Sequence, residues 1–493
     1  MRVTLHYRGT TKTHDLEHGL ELGGDPRQRG VAENLVGPWT CAFRRQPLGW
    51  AFDLRAGSQP DTTLNGTLVV GNWLYPVDYG DVIVAGELTI TVGYLASALP
   101  VAAPLSATER TLLGAIARDD DDQPRRVLAD LWQEGDDDVR GTLIHAQCEG
   151  LELGFELVAR HGDRWRQPAI AAGFTADQLV FERGFVPPFV LAEREPFARS
   201  ADAFRLSPVI YHPIRSVLVG LRTEVHEAVR MTATGADTTV AIKSPTTWDP
   251  DASFVIEREL QILRRFESPH LPAIRDVALV RRGGKALVME WRGPSLDAIL
   301  GAARAADRAP GEAVAISIGI QLCGALAVSH AANVTHCELA PDHVVIQDGR
   351  VTLCDFGYAR CDLKLPRAQI SPTGMIRSRF GYMSPEQVRG ETLDHATDVF
   401  ALAMLVAELV TLQHPIAGRT SDFDTLVAIR DLAFTLPATR STLAAKLGRL
   451  LVRDRAPRAS AALLGLELAR IAETAHVRVG PDVIADYTRS LGL

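Results

Sequence analysis

The spacing of apolar positions changes along this chain and divides it. Over residues 1–98 apolar side chains recur at every second position: Val3, Leu5 and Tyr7, then Trp50, Phe52 and Leu54, then Val82 and Val84, then Leu88, Ile90 and Val92. A period of two places alternate side chains on one face of a strand, so an N-terminal β-sandwich is expected. From about 106 to 208 the spacing lengthens to three and four. Leu112, Leu113 and Ile116, then Val127, Leu128 and Leu131, then Leu143, Ile144 and Cys148 predict a helical middle segment. Beyond 209 short strand patterns alternate with helical ones up to about 472, and residues 473–493 read as a helical tail. The whole is a multidomain α+β chain. Its longest apolar runs, around 313–328 and 400–412, are interrupted by Ser317, Gln321 and Glu408, which fits buried helices and falls short of a membrane span.

Composition narrows the function classes. With 493 residues the chain exceeds what one core can organise, and two to four domains are expected. Asp and Glu number 60 against 52 Lys and Arg, and no long basic block is present, so a nucleic-acid partner is not expected. Six cysteines lie scattered without a Cys-x-x-Cys pair, the usage of a reduced compartment. The start of the sequence runs straight into the strand pattern, so neither a secretion signal nor membrane attachment is expected, and a cytoplasmic location follows.

The candidate chemistry lies in the second half. His336-Cys337-Glu338-Leu339-Ala340-Pro341-Asp342-His343 precedes Cys354-Asp355-Phe356-Gly357. Upstream stand Val240-Ala241-Ile242-Lys243, then Glu259 on an amphipathic pattern, then Met289-Glu290-Trp291 after an apolar strand. Downstream come Ser384-Pro385-Glu386, Asp398 at the head of an apolar helix, and Arg458. In this order and spacing the motifs resemble the bacterial Ser/Thr protein kinase family, and a bilobal kinase-like domain over 209–472 is expected. The resemblance implies that Lys243 clamps nucleotide phosphates and pairs with Glu259, that Met289, Glu290 and Trp291 form the adenine hinge, that Asp355 holds the metal, and that Glu386 pairs with Arg458. ATP and Mg2+ are the cofactors it implies. The small lobe starts at an open position, because 213–219 reads equally as its first strand or as the last of the middle segment.

The same comparison exposes departures. Of the glycine-rich phosphate loop only Gly220 remains, in Gly220-Leu221-Arg222-Thr223. Glu338 stands where the family has its catalytic aspartate, which lengthens the arm by roughly 1.5 Å. Ala340 replaces the lysine that would neutralise the transferring phosphoryl group, and His343 replaces the asparagine that helps hold magnesium. Cys337 removes the arginine that would receive a phosphorylated Ser371, Thr373 or Ser378, and Arg379 stands where a bridging threonine belongs. A pseudokinase that acts as an intracellular scaffold with a protein partner and weak ATP binding is expected; the alternative is a divergent kinase that uses Glu338 as its base. Toward the N-terminus, Leu22-Gly23-Gly24-Asp25-Pro26, Asn65-Gly66 and Gly80-Asp81 resemble a forkhead-associated domain, although Gly24 lacks the arginine that would fork a phosphate, and Asn65-Gly66 is sufficient as a hairpin turn. Residues 109–136 with Glu182-Arg183-Gly184-Phe185 resemble a bacterial repeat-companion domain. The acidic run Asp119–Asp122 reads as a solvated helix cap.

Overall fold

The computed structural model describes the strands within residues 2–93 and, from 103 onward, all residues except 136, 193–194, 196, 220–221, 247–249, 282–283, 362–379, 417–420, 433–441 and 457. Two compact units result, and neither is one continuous stretch. The first comprises 1–215 with 228–239 and 277–286; the second comprises 216–227, 240–276 and 287–493.

In the first unit the alternating N-terminal segments form two antiparallel sheets. One orders Thr10–Asp15, Arg2–Tyr7, Leu88–Gly93, Val82–Ala85, Thr62–Leu64 and Thr67–Leu68; the other orders Leu20–Gly23, Thr40–Gln46, Gly49–Arg55 and Trp73–Val77. Leu64 pairs with Thr67, the two-residue spacing that an Asn-Gly turn favours. Gly24, Asn65, Gly66 and Gly80 themselves lie outside the described residues.

Four helices follow, Ala107–Arg118, Asp122–Gln133, Asp138–Cys148 and Leu153–Ala171. The first opens on a capping box in which Ser106 and Glu109 satisfy each other's backbone N–H. The acidic run is indeed a cap: Asp121 accepts from the Gln123 N–H at 3.0 Å, while Arg183 ties Asp120 and Asp122 together. Arg140 organises the centre. It is 4% exposed, donates to the carbonyls of Gly184 and Arg205, and lies over the rings of Trp132, Trp165 and Phe181 at 5.6, 5.4 and 5.2 Å.

The second unit is built around the helix Gly311–Ala331. At 21 residues it is long and apolar enough to cross a membrane, beyond what the sequence run suggested, but it is mostly buried among its neighbours, as the core helix of a globular lobe is. Helices Ala396–Thr411 and Ala461–Thr474 pack on it. Gly319 lets both approach, since a Cβ there would lie 3.1 Å from Leu468 and 3.2 Å from Val406. The polar interruptions of the apolar runs are buried ties. Gln321 donates to the Gly349 carbonyl and accepts from the Val351 N–H, both at 2.9 Å, which fixes the hairpin Val344–Gln347/Arg350–Leu353 on the helix. Ser317 accepts from the Gly480 N–H at 3.1 Å, seating the C-terminal helix Pro481–Ser490, and Glu408 accepts from Tyr382 and Arg304. Above this lobe, Val240–Lys243 pairs antiparallel with Leu287–Glu290.

Candidate functional site

Four chain segments converge on one cleft in the second unit. The strand Gly235–Pro245 delivers Lys243, the helix Pro250–Leu263 delivers Glu259, the loop before the hairpin delivers Glu338 and His343, and the turn after it delivers Asp355. Lys243, 2% exposed, donates to Glu259 Oε2 at 2.6 Å and to Asp355 Oδ1 at 2.8 Å. Burial opposes the ammonium charge, but the two carboxylates outweigh it and hold the Lys243 pKa above its ordinary value. The lysine is therefore a fixed cation. Its charge is already shared by two anions before any ligand arrives.

The loop at 334–343 is clamped from below. Asp398, 1% exposed, accepts from the His336 and Cys337 N–H groups at 2.8 Å each and from His330 Nε2 at 2.8 Å. That grip holds Cys337 at φ 66°, a left-handed conformation uncommon outside glycine. Gln387 adds a second tie by donating to the Cys337 carbonyl at 2.6 Å. The His336 ring is fully buried, donates Nε2–H to the Cys354 carbonyl at 2.8 Å and packs edge-on against Phe356 at 4.8 Å. Burial lowers its pKa, consistent with a neutral structural imidazole. Farther down, Glu386 and Arg458 form a bidentate pair at 2.6 and 3.1 Å.

The space between the walls of the cleft is about 760 Å³, part of it open solvent. Leu218, Ala241, Met289 and Trp291 line one part; Lys243, Asp355 and His343 line the other. Met289 sits opposite Ala241 in the sheet register, and Glu290 is engaged by Arg275 at 2.8 Å and by Arg292. Gly293 follows at φ 83°, where a Cβ would lie 2.3 Å from the Ile346 carbonyl oxygen; only glycine lets the segment pass so close to the hairpin.

Residues 220–462 match the family model for the protein kinase domain. That span is similar to the protein kinase domain. Stretches of the chain are similar to PknL, a serine/threonine-protein kinase of Mycobacterium tuberculosis, at 40% identity over 96 residues, 19% of this chain and 23% of that protein. They are similar also to the probable serine/threonine-protein kinase PknB of Corynebacterium glutamicum, 29% over 177 residues, 35% and 27% of the two chains. The tyrosine-protein kinase MasK of Myxococcus xanthus matches at 31% over 144 residues, 27% and 22%. The chain thus covers about a quarter of the length of these relatives.

A kinase domain uses ATP and Mg2+, and the two fit this cleft unequally. The apolar sector beside Met289 and the fixed Lys243 suit a nucleotide. The metal position does not suit magnesium: an imidazole occupies it, whereas Mg2+ demands near-octahedral oxygen donors. Ala340 is 2% exposed, so a methyl group fills the place where the family's lysine would stand. Gly220, Ser371, Thr373, Ser378 and Arg379 lie outside the described residues. What sequence reasoning missed is the convergence of Glu338, His343 and Asp355, whose ligand atoms all lie within 4.8 Å of one another. The motif holds them apart along the chain, with an amide in the family where His343 stands and an aspartate where Glu338 stands.

Proposed function

We propose that the kinase domain is a phosphotransfer-deficient pseudokinase that binds nucleotide weakly and acts inside the cell by engaging a protein partner. The observation that carries this is the charge content of the cleft. Beside Asp355 the cleft offers one fixed lysine, already shared with two carboxylates, and Ala340 supplies none where transfer needs a second cation. Electrostatic stabilisation of the moving phosphoryl group is most of what a kinase contributes. Glu338 adds a positioning fault, since misplacement near 1 Å can cost about 100-fold. The N-terminal sheets and the helical segment serve as docking surface in this reading.

A second reading has a specific observation behind it. The Lys243–Glu259 pair, the His336–Phe356 contact and the Glu386–Arg458 pair are all assembled, as a working domain requires. Glu338 would then be the base of a divergent kinase for protein hydroxyl groups. One assay separates them: incorporation of labelled γ-phosphate into the protein or a generic substrate, for wild type, Glu338→Gln and Asp355→Asn. The pseudokinase reading expects the three to share one background. Turnover by wild type that both substitutions abolish would refute it. A thermal-shift titration with ATP, lost in Lys243→Met, tests the nucleotide clause.

A further inference from the structure

His343 is 1% exposed, and its Nδ1 lies 2.7 Å from the Glu338 carbonyl oxygen. A carbonyl only accepts, so Nδ1 carries a proton and Nε2 is the ring nitrogen turned toward Asp355. That nitrogen lies 3.3 Å from Asp355 Oδ2. At that distance the two atoms are joined either by a proton, as an ion pair, or by a metal ion. Lys243 is bonded to the other carboxylate oxygen, Oδ1.

The separation fits a metal. Donors about 2.1 Å from one ion stand about 3.0 Å apart at a right angle and about 3.4 Å apart at the tetrahedral angle, and the observed Nε2–Oδ2 distance falls between. The outer partners are those that metal-binding histidines use: a backbone carbonyl fixes the tautomer of His343, and Lys243 fixes the carboxylate of Asp355. The Glu338 carboxylate, within 4.8 Å of both, closes the set by a side-chain shift. One nitrogen and two carboxylates are borderline donors, which favour first-row transition dications in the order Mn2+ < Co2+ < Zn2+ and disfavour magnesium. We propose that Glu338, His343 and Asp355 form a binding site for such a dication, Zn2+ or Co2+ in preference to Mg2+. The site stands whether or not the domain transfers phosphate.

The test uses the full chain without nucleotide, so that phosphate chelation and turnover play no part. Co2+ is titrated and followed by its visible ligand-field absorption. One Co2+ per chain is expected, displaced by Zn2+ and retained in millimolar Mg2+. His343→Asn should weaken Co2+ binding by about 100-fold or more while leaving the thermal transition in place; His343→Gln serves if the first variant does not fold. Asp355→Asn should do likewise. No ligand-field band at micromolar Co2+ would show that a proton alone sits between ring and carboxylate. A band unchanged in the folded His343 and Asp355 variants would place the metal elsewhere. Either result overturns the assignment.

Discussion

At the scale of single residues, burial and the partners a titratable group meets decide which protonation state survives. His414 shows this outside the cleft. Its Nδ1 accepts from the Ile416 N–H at 3.1 Å and its ring meets Tyr382 edge-on at 4.9 Å. Burial, with Arg304 adding to it, pushes its pKa down to about 4. In the unfolded chain the ring titrates near 6.5, so below that pH the unfolded state binds more protons, and stability falls with falling pH until about 4, where the folded ring also protonates. The contribution is about 3 kcal/mol at most. His414→Asn keeps an acceptor near the Ile416 N–H and removes the titration. Urea denaturation of the variant should therefore show a shallower loss of stability between those limits than wild type. His336 and His395, also held low by burial, leave it a residual slope. Equal slopes in the two proteins would mean that His414 is not the group responsible.

At the scale of elements, the core helix Gly311–Ala331 explains what could and could not be read from the sequence. Apolar periodicity locates such a helix, and the ordered motifs place Lys243, Glu259, Asp355 and Asp398 because their spacing along the chain is tied to the strands and helices that carry them. The same periodicity treats Ser317, Gln321 and Glu408 as breaks in an apolar run, when each is the point at which a distant segment is fastened. Long-range partners carry no local signal. The tie from Gln387 to the Cys337 carbonyl is invisible for the same reason, and so is the tautomer of His343, which depends on a backbone oxygen five residues away. Gln321 gives the measurable case. Gln321→Leu keeps the helix pattern and improves its apolar character, yet leaves the Val351 N–H and the Gly349 carbonyl without the amide that now satisfies both. At about 1–3 kcal/mol for each of the two buried groups left unmet, chemical denaturation should show a loss of roughly 2–6 kcal/mol. A neutral or stabilising substitution would mean that water satisfies the hairpin and the amide is dispensable.

At the scale of the whole molecule, the span that matches the protein kinase family model and the compact units defined by packing do not coincide. The match covers 220–462, but 228–239 and 277–286 belong to the first unit. Their partners there are specific. Arg230 donates to the Ala117 carbonyl and pairs with Asp237; Gln178 donates to the Val280 and Gly284 carbonyls at 2.8 and 2.9 Å; Phe189 pairs with Leu279; Arg281 pairs with Glu195. Cutting the chain at 216 removes every one of these partners that lies before that point, among them the apolar cluster of Phe174, Phe189 and Phe197 against which Leu279 packs. Exposed strand edges and a stripped apolar face are a recipe for association. A fragment 216–493 should therefore be less stable and more prone to aggregate than a fragment 103–493, as read by thermal unfolding and light scattering at matched concentration. The helical segment would on this account be what holds 228–239 and 277–286 in their fold, with any partner recognition built on top of it. Equal transitions and equal monodispersity in the two fragments would show instead that 228–239 and 277–286 hold their fold without the segment.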